Sequence, residues 1–294
     1  MPSTRLGDRV GVRLLLKCEN FQKTGSFKAR GAYNYLAQLG PAERERGVVT
    51  FSAGNHAQSL AWAARATGVH ATVVMPAHAS PLKAAASRDY GADVVLFGAN
   101  GMEALAKARE LERERGLQFA HPFDHEHVMA GQGTAGLELL EQASDLDAVV
   151  VPVGGGGLIA GILVAIKESN PRIRVYGVEP TGAAGMRRSL DAGHPVTLDA
   201  VKTIADGLAA PMAGDLTFEV VKRYADDVVV IDDETIAAAL VDLLTSAKLL
   251  AEAGGAAATA AILARSIPLR QGERVAAIVS GGNIDPARLA PLLG

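Results

Sequence analysis

The chain has 294 residues, 49% of them hydrophobic and 21% charged, the make-up of a soluble globular protein of one or two domains. Its 29 basic residues stand against 32 acidic ones, a net charge of −3, which excludes nucleic-acid binding by bulk charge. The one cysteine, Cys18, excludes an internal disulfide framework and a cysteine-based zinc site. No apolar run reaches the roughly 20 residues of a membrane span. Met1–Val10 lacks the apolar centre of a signal peptide, so a cytoplasmic setting is expected.

The predicted elements alternate from one end to the other. A strand at Val12–Lys17 precedes a helix at Phe27–Leu39. Three strand–helix pairs follow: Gly47–Phe51 with His56–Thr67, Ala71–Met75 with Pro81–Tyr90, and Asp93–Phe97 with Met102–Arg115. Strand Gln118–Pro122 leads through a polar stretch, His121 to His127, and an expected turn at Gly131-Gln-Gly133 to a helix at Thr134–Gln142. Then come strand Ala148–Val153, helix Leu158–Glu168, strand Arg174–Val178, helix Leu216–Tyr224 and strand Asp227–Ile231. Helices at Asp233–Glu252 and Ala256–Ser266 and a strand at Arg274–Ser280 complete the series. Uninterrupted apolar strands such as Val149-Val-Val-Pro-Val153 read as parallel strands covered on both faces. The alternation predicts an α/β fold. The expected division is a large domain of residues 1–42 and 125–294 and a small inserted α/β domain of residues 43–124.

In open α/β sheets ligands bind beyond the carboxyl ends of strands, and four loops there carry unusual chemistry. In Lys23-Thr-Gly-Ser-Phe-Lys28, Ser26 reads as a helix cap, which places Lys28 in the first turn. A cation at the positive end of a helix is disfavoured as surface decoration and suited to an amine that attacks a carbonyl. Ser52-Ala-Gly-Asn-His56 joins a strand to a helix with small residues, an amide and a titratable ring; its plain alternative is a capping loop. Gly154-Gly-Gly-Gly157 ahead of Leu158 suits a phosphate held by the amides of a helix start. Ser280-Gly-Gly-Asn283 presents a hydroxyl at the end of the last strand, or else simply turns the chain. Gly155 to Ala160 with Glu179 also fits a dinucleotide fingerprint, which keeps a nicotinamide-dependent dehydrogenase as a rival. A non-catalytic cofactor-binding protein is the third reading. Only pyridoxal phosphate needs all four loops: a phosphate cradle, an amine for its aldehyde, an amide for its phenolic oxygen and a hydroxyl for its ring nitrogen.

These motifs resemble the fold-type II pyridoxal-phosphate enzymes, and within them the threonine (serine) dehydratase and serine racemase family. Ala130-Gly-Gln-Gly-Thr134, Val178-Glu-Pro180, Thr203-Ile-Ala-Asp-Gly207 and Glu252 extend the similarity, which runs from about Leu14 to Asp285. The resemblance implies two open, mainly parallel twisted sheets with flanking helices. It makes Lys28 the Schiff-base lysine and the α-proton base. It gives Asn55 the phenolic oxygen, Gly154, Gly155, Gly156, Gly157 and Leu158 the phosphate, and Ser280 the ring nitrogen. Phe27 would pack on the ring, and Asp206, Gly207 and Glu252 would line its far side. Ser52, Ala53, Gly54, Asn55 and His56 would receive the substrate carboxylate. The implied reaction is elimination of the β-hydroxyl of an amino acid such as L-threonine or L-serine, giving a 2-oxo acid and ammonia. The alternatives are serine racemisation and 3-hydroxyaspartate deamination.

Departures from the family pattern narrow this. Racemases carry a serine as second base where this chain has Ala53. A Mg2+ or Ca2+ site of some relatives is matched by Glu179 and Ala183, but Gly185 stands where an acid is needed, which weakens it. The chain starts too late to supply an extra N-terminal helix, and its stop at Gly294 leads us to expect no C-terminal regulatory domain. A homodimer acting on a small amino acid, with no nucleic-acid or membrane partner, is expected. His121, His125 and His127 are too irregularly spaced for a metal site and read as solvated or structural. Cys18 reads as packing.

Overall fold

The computed structural model describes residues 1–293, with the backbone alone at Leu82. It contains nine strands: β1 (Arg13–Cys18), β2 (Val48–Phe51), β3 (Ala71–Met75), β4 (Asp93–Leu96), β5 (Gln118–Phe119), β6 (Ala148–Pro152), β7 (Arg174–Pro180), β8 (Asp227–Ile231) and β9 (Arg274–Val279). The helices are α1 (Thr4–Val10), α2 (Lys28–Ala37), α3 (Pro41–Arg46), α4 (Asn55–Thr67), α5 (Pro81–Asp89), α6 (Gly101–Arg115) and α7 (Glu126–Gln142). They continue with α8 (Gly157–Ser169), α9 (Gly185–Ala192), α10 (Asp215–Tyr224), α11 (Asp233–Asp242), α12 (Ala253–Leu263) and α13 (Pro286–Leu289).

The strands form two sheets, one ordered β1-β9-β6-β7-β8 and one ordered β4-β3-β2-β5, and every pairing is parallel. Contacts divide the chain into one unit of Met1–Phe27 with Gln132–Gly294 and another of Lys28–Gly131. The divisions fall at 27/28 and 131/132, where the sequence placed them at 42/43 and 124/125. The reason is α2, which packs mainly on α4 and so belongs with the smaller unit.

Strand periodicity sorts the large unit's core. Ala148 and Val150 of β6 face one apolar cluster, with Leu14, Leu16 and most of α12. Val149 and Val151 face the other, with Ile159, Ile162 and Ile166 of α8. Period-2 alternation thus supplies two cores from one continuous apolar strand. Helix α12 is buried from Ala253 to Ile262, as a helix apolar all round must be. In the small unit Val73 and Met75 join the core under α4, and Val74 joins the one under α6.

Three local expectations are corrected. Gly131-Gln-Gly133 is no turn but lies within α7. A Cβ on Gly131 would sit 2.6 Å from the Arg30 carbonyl oxygen, and one on Gly133 would sit 2.8 Å from that of Gly161. Both glycines serve close backbone approach, which a sequence shows in the same letters as a turn. The expected helix Asp233–Glu252 is α11, then a π-turn at Leu243–Ala247, then a break at Lys248, whose φ is +60°. Strand β5 stops at Phe119 rather than Pro122, because the next carbonyl, Ala120, accepts side-chain donors instead of continuing the ladder.

Candidate active site

In the large unit, α8 starts directly beneath β6 through the four glycines. Residues 155–158 are buried, and among the described residues no protein acceptor meets the backbone N–H groups of residues 154–158. The Gly155 carbonyl, by contrast, is held by the Thr217 hydroxyl at 2.7 Å and the Gly214 amide at 3.2 Å. Gly156 has φ +95°, and a Cβ there would lie 2.7 Å from Thr217 Oγ1 and 2.8 Å from Met186. Buried amides without acceptors are costly unless a ligand supplies one. At the positive end of a 13-residue helix that ligand is an anion. The loop fits the phosphate of pyridoxal phosphate.

At the end of β9, Ser280 is 4% exposed and its hydroxyl donates to the Gly254 carbonyl at 3.4 Å. The loop after it is bound to the segment that runs into Lys28. The Phe27 amide donates to the Ser280 carbonyl at 3.0 Å, and the Gly282 amide to Gly25 at 2.9 Å. Asn283 Nδ2 donates to the Thr24 carbonyl at 2.7 Å. Gly25 (φ +73°) leaves no room for a side chain, since a Cβ would lie 2.4 Å from Asn283 Oδ1. Ser26 does not cap α2 as expected: its backbone bridges Gly281, and its buried hydroxyl has no partner. Phe27 packs on the large unit's core. Gly207 lies against Glu252, whose Oε1 would be 3.3 Å from a Cβ there, while Asp206 pairs with Arg288.

In the small unit, Lys28 is the first residue of α2 and its ammonium donates to the Pro122 carbonyl at 2.6 Å. The loop Ser52 to Gly54 closes on itself, the Gly54 amide donating to Ser52 Oγ at 3.1 Å, and Ala53 carries no ionisable group. Asn55 opens α4. His56 is 3% exposed, with Nε2 3.1 Å from Thr50 Oγ1 and 3.3 Å from the Ala120 carbonyl. Burial first, then the Lys28 charge, lowers its pKa to about 3, so the ring is neutral. His121, which the sequence read as structural or solvated, stands in the same region. Burial, then Arg109 and Lys28, lowers its pKa to about 4. The contribution of residues 120–124 escaped the sequence reading: Pro122 acts through a carbonyl, which no side-chain pattern reveals.

Glu179 is fully buried at the end of β7, and burial raises its pKa to about 7 against the pull of two amides. Oε1 accepts from the Met186 amide at 2.8 Å and Oε2 from the Arg187 amide at 2.7 Å. Both carboxylate oxygens therefore serve the first turn of α9, whose positive end and Arg187 oppose a cation. With Ala183 offering only its backbone and Gly185 no side chain, these residues do not fit Mg2+ or Ca2+. Among the described residues no cluster of three or more His, Cys, Asp or Glu is arranged to hold a metal. His125 Nδ1 accepts from the His127 amide at 3.1 Å, and its ring stands edge-on to Tyr35. Burial raises the Cys18 pKa, in keeping with packing. No helix of the described residues is long and apolar enough to cross a membrane.

The chain is 48% identical to the L-threonine ammonia-lyase of Thermotoga maritima over 283 residues, 96% of this chain and 70% of that one. The processed form of threonine deaminase isoform 2 from Solanum lycopersicum superposes with a TM-score of 0.96 at 40% identity, covering 99% of this chain and 85% of that one. Maize serine racemase does so with a TM-score of 0.95 at 39% identity, covering 99% and 89%. A family profile described as pyridoxal-phosphate dependent enzyme matches residues 1–281, and the chain belongs to that family.

Proposed function

We propose that the chain deaminates a neutral β-hydroxy amino acid, L-threonine or L-serine, to a 2-oxo acid and ammonia. Water lost in the elimination returns in the hydrolysis that frees ammonia, so no external oxidant or reductant is needed. The observation that carries the reading is the row of backbone amides at residues 154–158, buried from 155 to 158 and met by no acceptor among the described residues, together with a lysine at the start of α2.

When bound, pyridoxal phosphate supplies an electron-withdrawing ring that acidifies the substrate's Cα–H. The amides of Gly154, Gly155, Gly156, Gly157 and Leu158 would hold its phosphate, and Asn55 its phenolic oxygen. Ser280 would offer the ring nitrogen a neutral hydroxyl, which does not enforce protonation as a carboxylate would. Lys28 would be the amine that tethers the cofactor and the base that takes the Cα proton. The Ser52–Gly54 loop and the first turn of α4 would receive the substrate carboxylate at a helix N-terminus, while the His56 ring meets Thr50 and the Ala120 carbonyl. Phe27, Gly207 and Glu252 would bound the cofactor ring.

Two features favour deamination of a neutral substrate. Ala53 offers no second base for racemisation. His56 and His121, whose pKa values burial and the Lys28 charge both lower, are neutral and give no cation to the second carboxylate of 3-hydroxyaspartate. No divalent cation enters the reading, since Glu179 is committed to α9. We place the enzyme in the cytoplasm as a homodimer, which light scattering of the purified chain will check.

The test is borohydride reduction of the yellow, cofactor-loaded protein, peptide mass spectrometry, and a 2-oxo acid assay over threonine, serine and 3-hydroxyaspartate with and without Mg2+. We expect the reduced cofactor on Lys28 and turnover of threonine or serine, unchanged by the metal. Reduced cofactor on another residue overturns the assignment.

A further inference from the structure

Lys28 meets a turn whose rigidity has an identifiable source. Pro122, whose carbonyl receives the ammonium at 2.6 Å, has no N–H with which to hold the turn itself. The amides that follow are held by a side chain: those of Phe123 and Asp124 both donate to His121 Nδ1, at 3.3 and 2.8 Å. The imidazole is fixed in turn, edge-on to the Phe123 ring at 4.6 Å between centroids and to the Phe119 ring at 6.0 Å. Just upstream, the Ala120 carbonyl takes the Thr50 hydroxyl at 2.7 Å and faces His56 Nε2 at 3.3 Å. Residues 120–124 are therefore pinned on both sides of the Pro122 carbonyl that meets Lys28. Because His121 accepts through Nδ1, its proton sits on Nε2.

We propose that His121 is a positioning residue for Lys28: by holding the amides of Phe123 and Asp124 it aims the Pro122 carbonyl, which gives the lysine amine a fixed resting place whenever it is not bonded to the cofactor. This rests on Lys28 being the cofactor-bearing amine. A free lysine side chain samples many rotamers. A preset acceptor selects the rotamer that keeps the amine within reach of its target, so each release during turnover returns it to the same starting point. No bond to carbon is made or broken at His121.

The test compares full-length chains carrying His121→Asn and His121→Gln. Asparagine keeps an acceptor at the position of Nδ1; glutamine moves it one methylene away. Freed of cofactor, each chain is treated with limiting trinitrobenzenesulfonate at fixed pH, and labelling of the Lys28 peptide is followed by mass spectrometry with the other lysines as internal controls. Loss of one charge-assisted hydrogen bond corresponds to about a tenfold rise in Lys28 labelling in His121→Gln. The Asn variant should stay within about twofold of the native rate, the scale of a few tenths of a kcal/mol. In the reloaded enzymes kcat should fall in the Gln variant with KM little changed. Equal labelling in the native, Asn and Gln chains overturns the proposal, as does an equal rise in both variants. If His121→Gln does not fold by thermal melting, Pro122→Gly loosens the same turn without touching the imidazole and must give the same rise. Cofactor trapped on Lys28 with no labelling difference refutes this inference alone; cofactor trapped elsewhere refutes the functional reading beneath it.

Discussion

The candidate residues of the two units are built from different materials. In the large unit the anion cradle is backbone: the amides of residues 154–158, with Gly156 in a conformation and a space that admit no side chain. In the small unit the surroundings of Lys28 are made of side chains, where Thr50 and His56 meet one carbonyl, that of Ala120, and His121 holds a turn. A backbone site is indifferent to pH and intolerant of added atoms. A site braced by neutral imidazoles tolerates shape changes better and fails on protonation.

That contrast can be broken by experiment. The largest effect is expected at Gly156→Val, which puts a branched side chain into a left-handed position already touching Thr217 and Met186. Cofactor affinity should fall about a hundredfold and stability by about 1–3 kcal/mol, read by cofactor titration and thermal melting. Unchanged affinity would mean that the loop is not the phosphate cradle. An intermediate effect belongs to the histidines. Their folded-state pKa values, about 3 and about 4, lie below the ordinary 6.5. The stability they contribute is complete above pH 6.5 and is lost as pH falls through the folded-state values, at up to about 1.4 kcal/mol per pH unit for each. The double variant His56→Asn, His121→Asn should flatten the melting profile between pH 6.5 and pH 4 relative to the native chain. Equal slopes would show that these rings are not buried neutral. The smallest effect is expected at Ser280→Ala, where loss of one neutral hydrogen bond lowers kcat/KM by about tenfold or less. A loss beyond about a hundredfold would give that hydroxyl a larger part than its neutral chemistry supports.

The same contrast explains what a reader of the sequence sees. All nine strands were legible, because continuous apolar runs such as Ala148–Val153 and Arg274–Ser280 permit little else. The glycine loop was legible because a backbone site advertises itself by what it leaves out. The bracing of Lys28 was not, since the Pro122 carbonyl and the two amides on His121 depend on tertiary placement. Helix α9 was missed for a related reason: its first turn is held by Glu179, which lies across a loop at the end of β7. Gly131 and Gly133 show the converse error, where glycines needed for helix packing look like turn residues.

The large sheet's strand order governs when the protein can be completed during synthesis. Among the nine strands β1 neighbours β9 alone, in register from Arg13 against Arg274 to Cys18 against Val279, while Met1–Ser3 pairs along its other side. A nascent chain therefore carries β1 out of the ribosome long before its partner β9 exists. Residues 28–131, contiguous and self-contained in their sheet pairing, are made in the interval. A premature stop between β1 and β9 leaves β1 without its partner in the sheet.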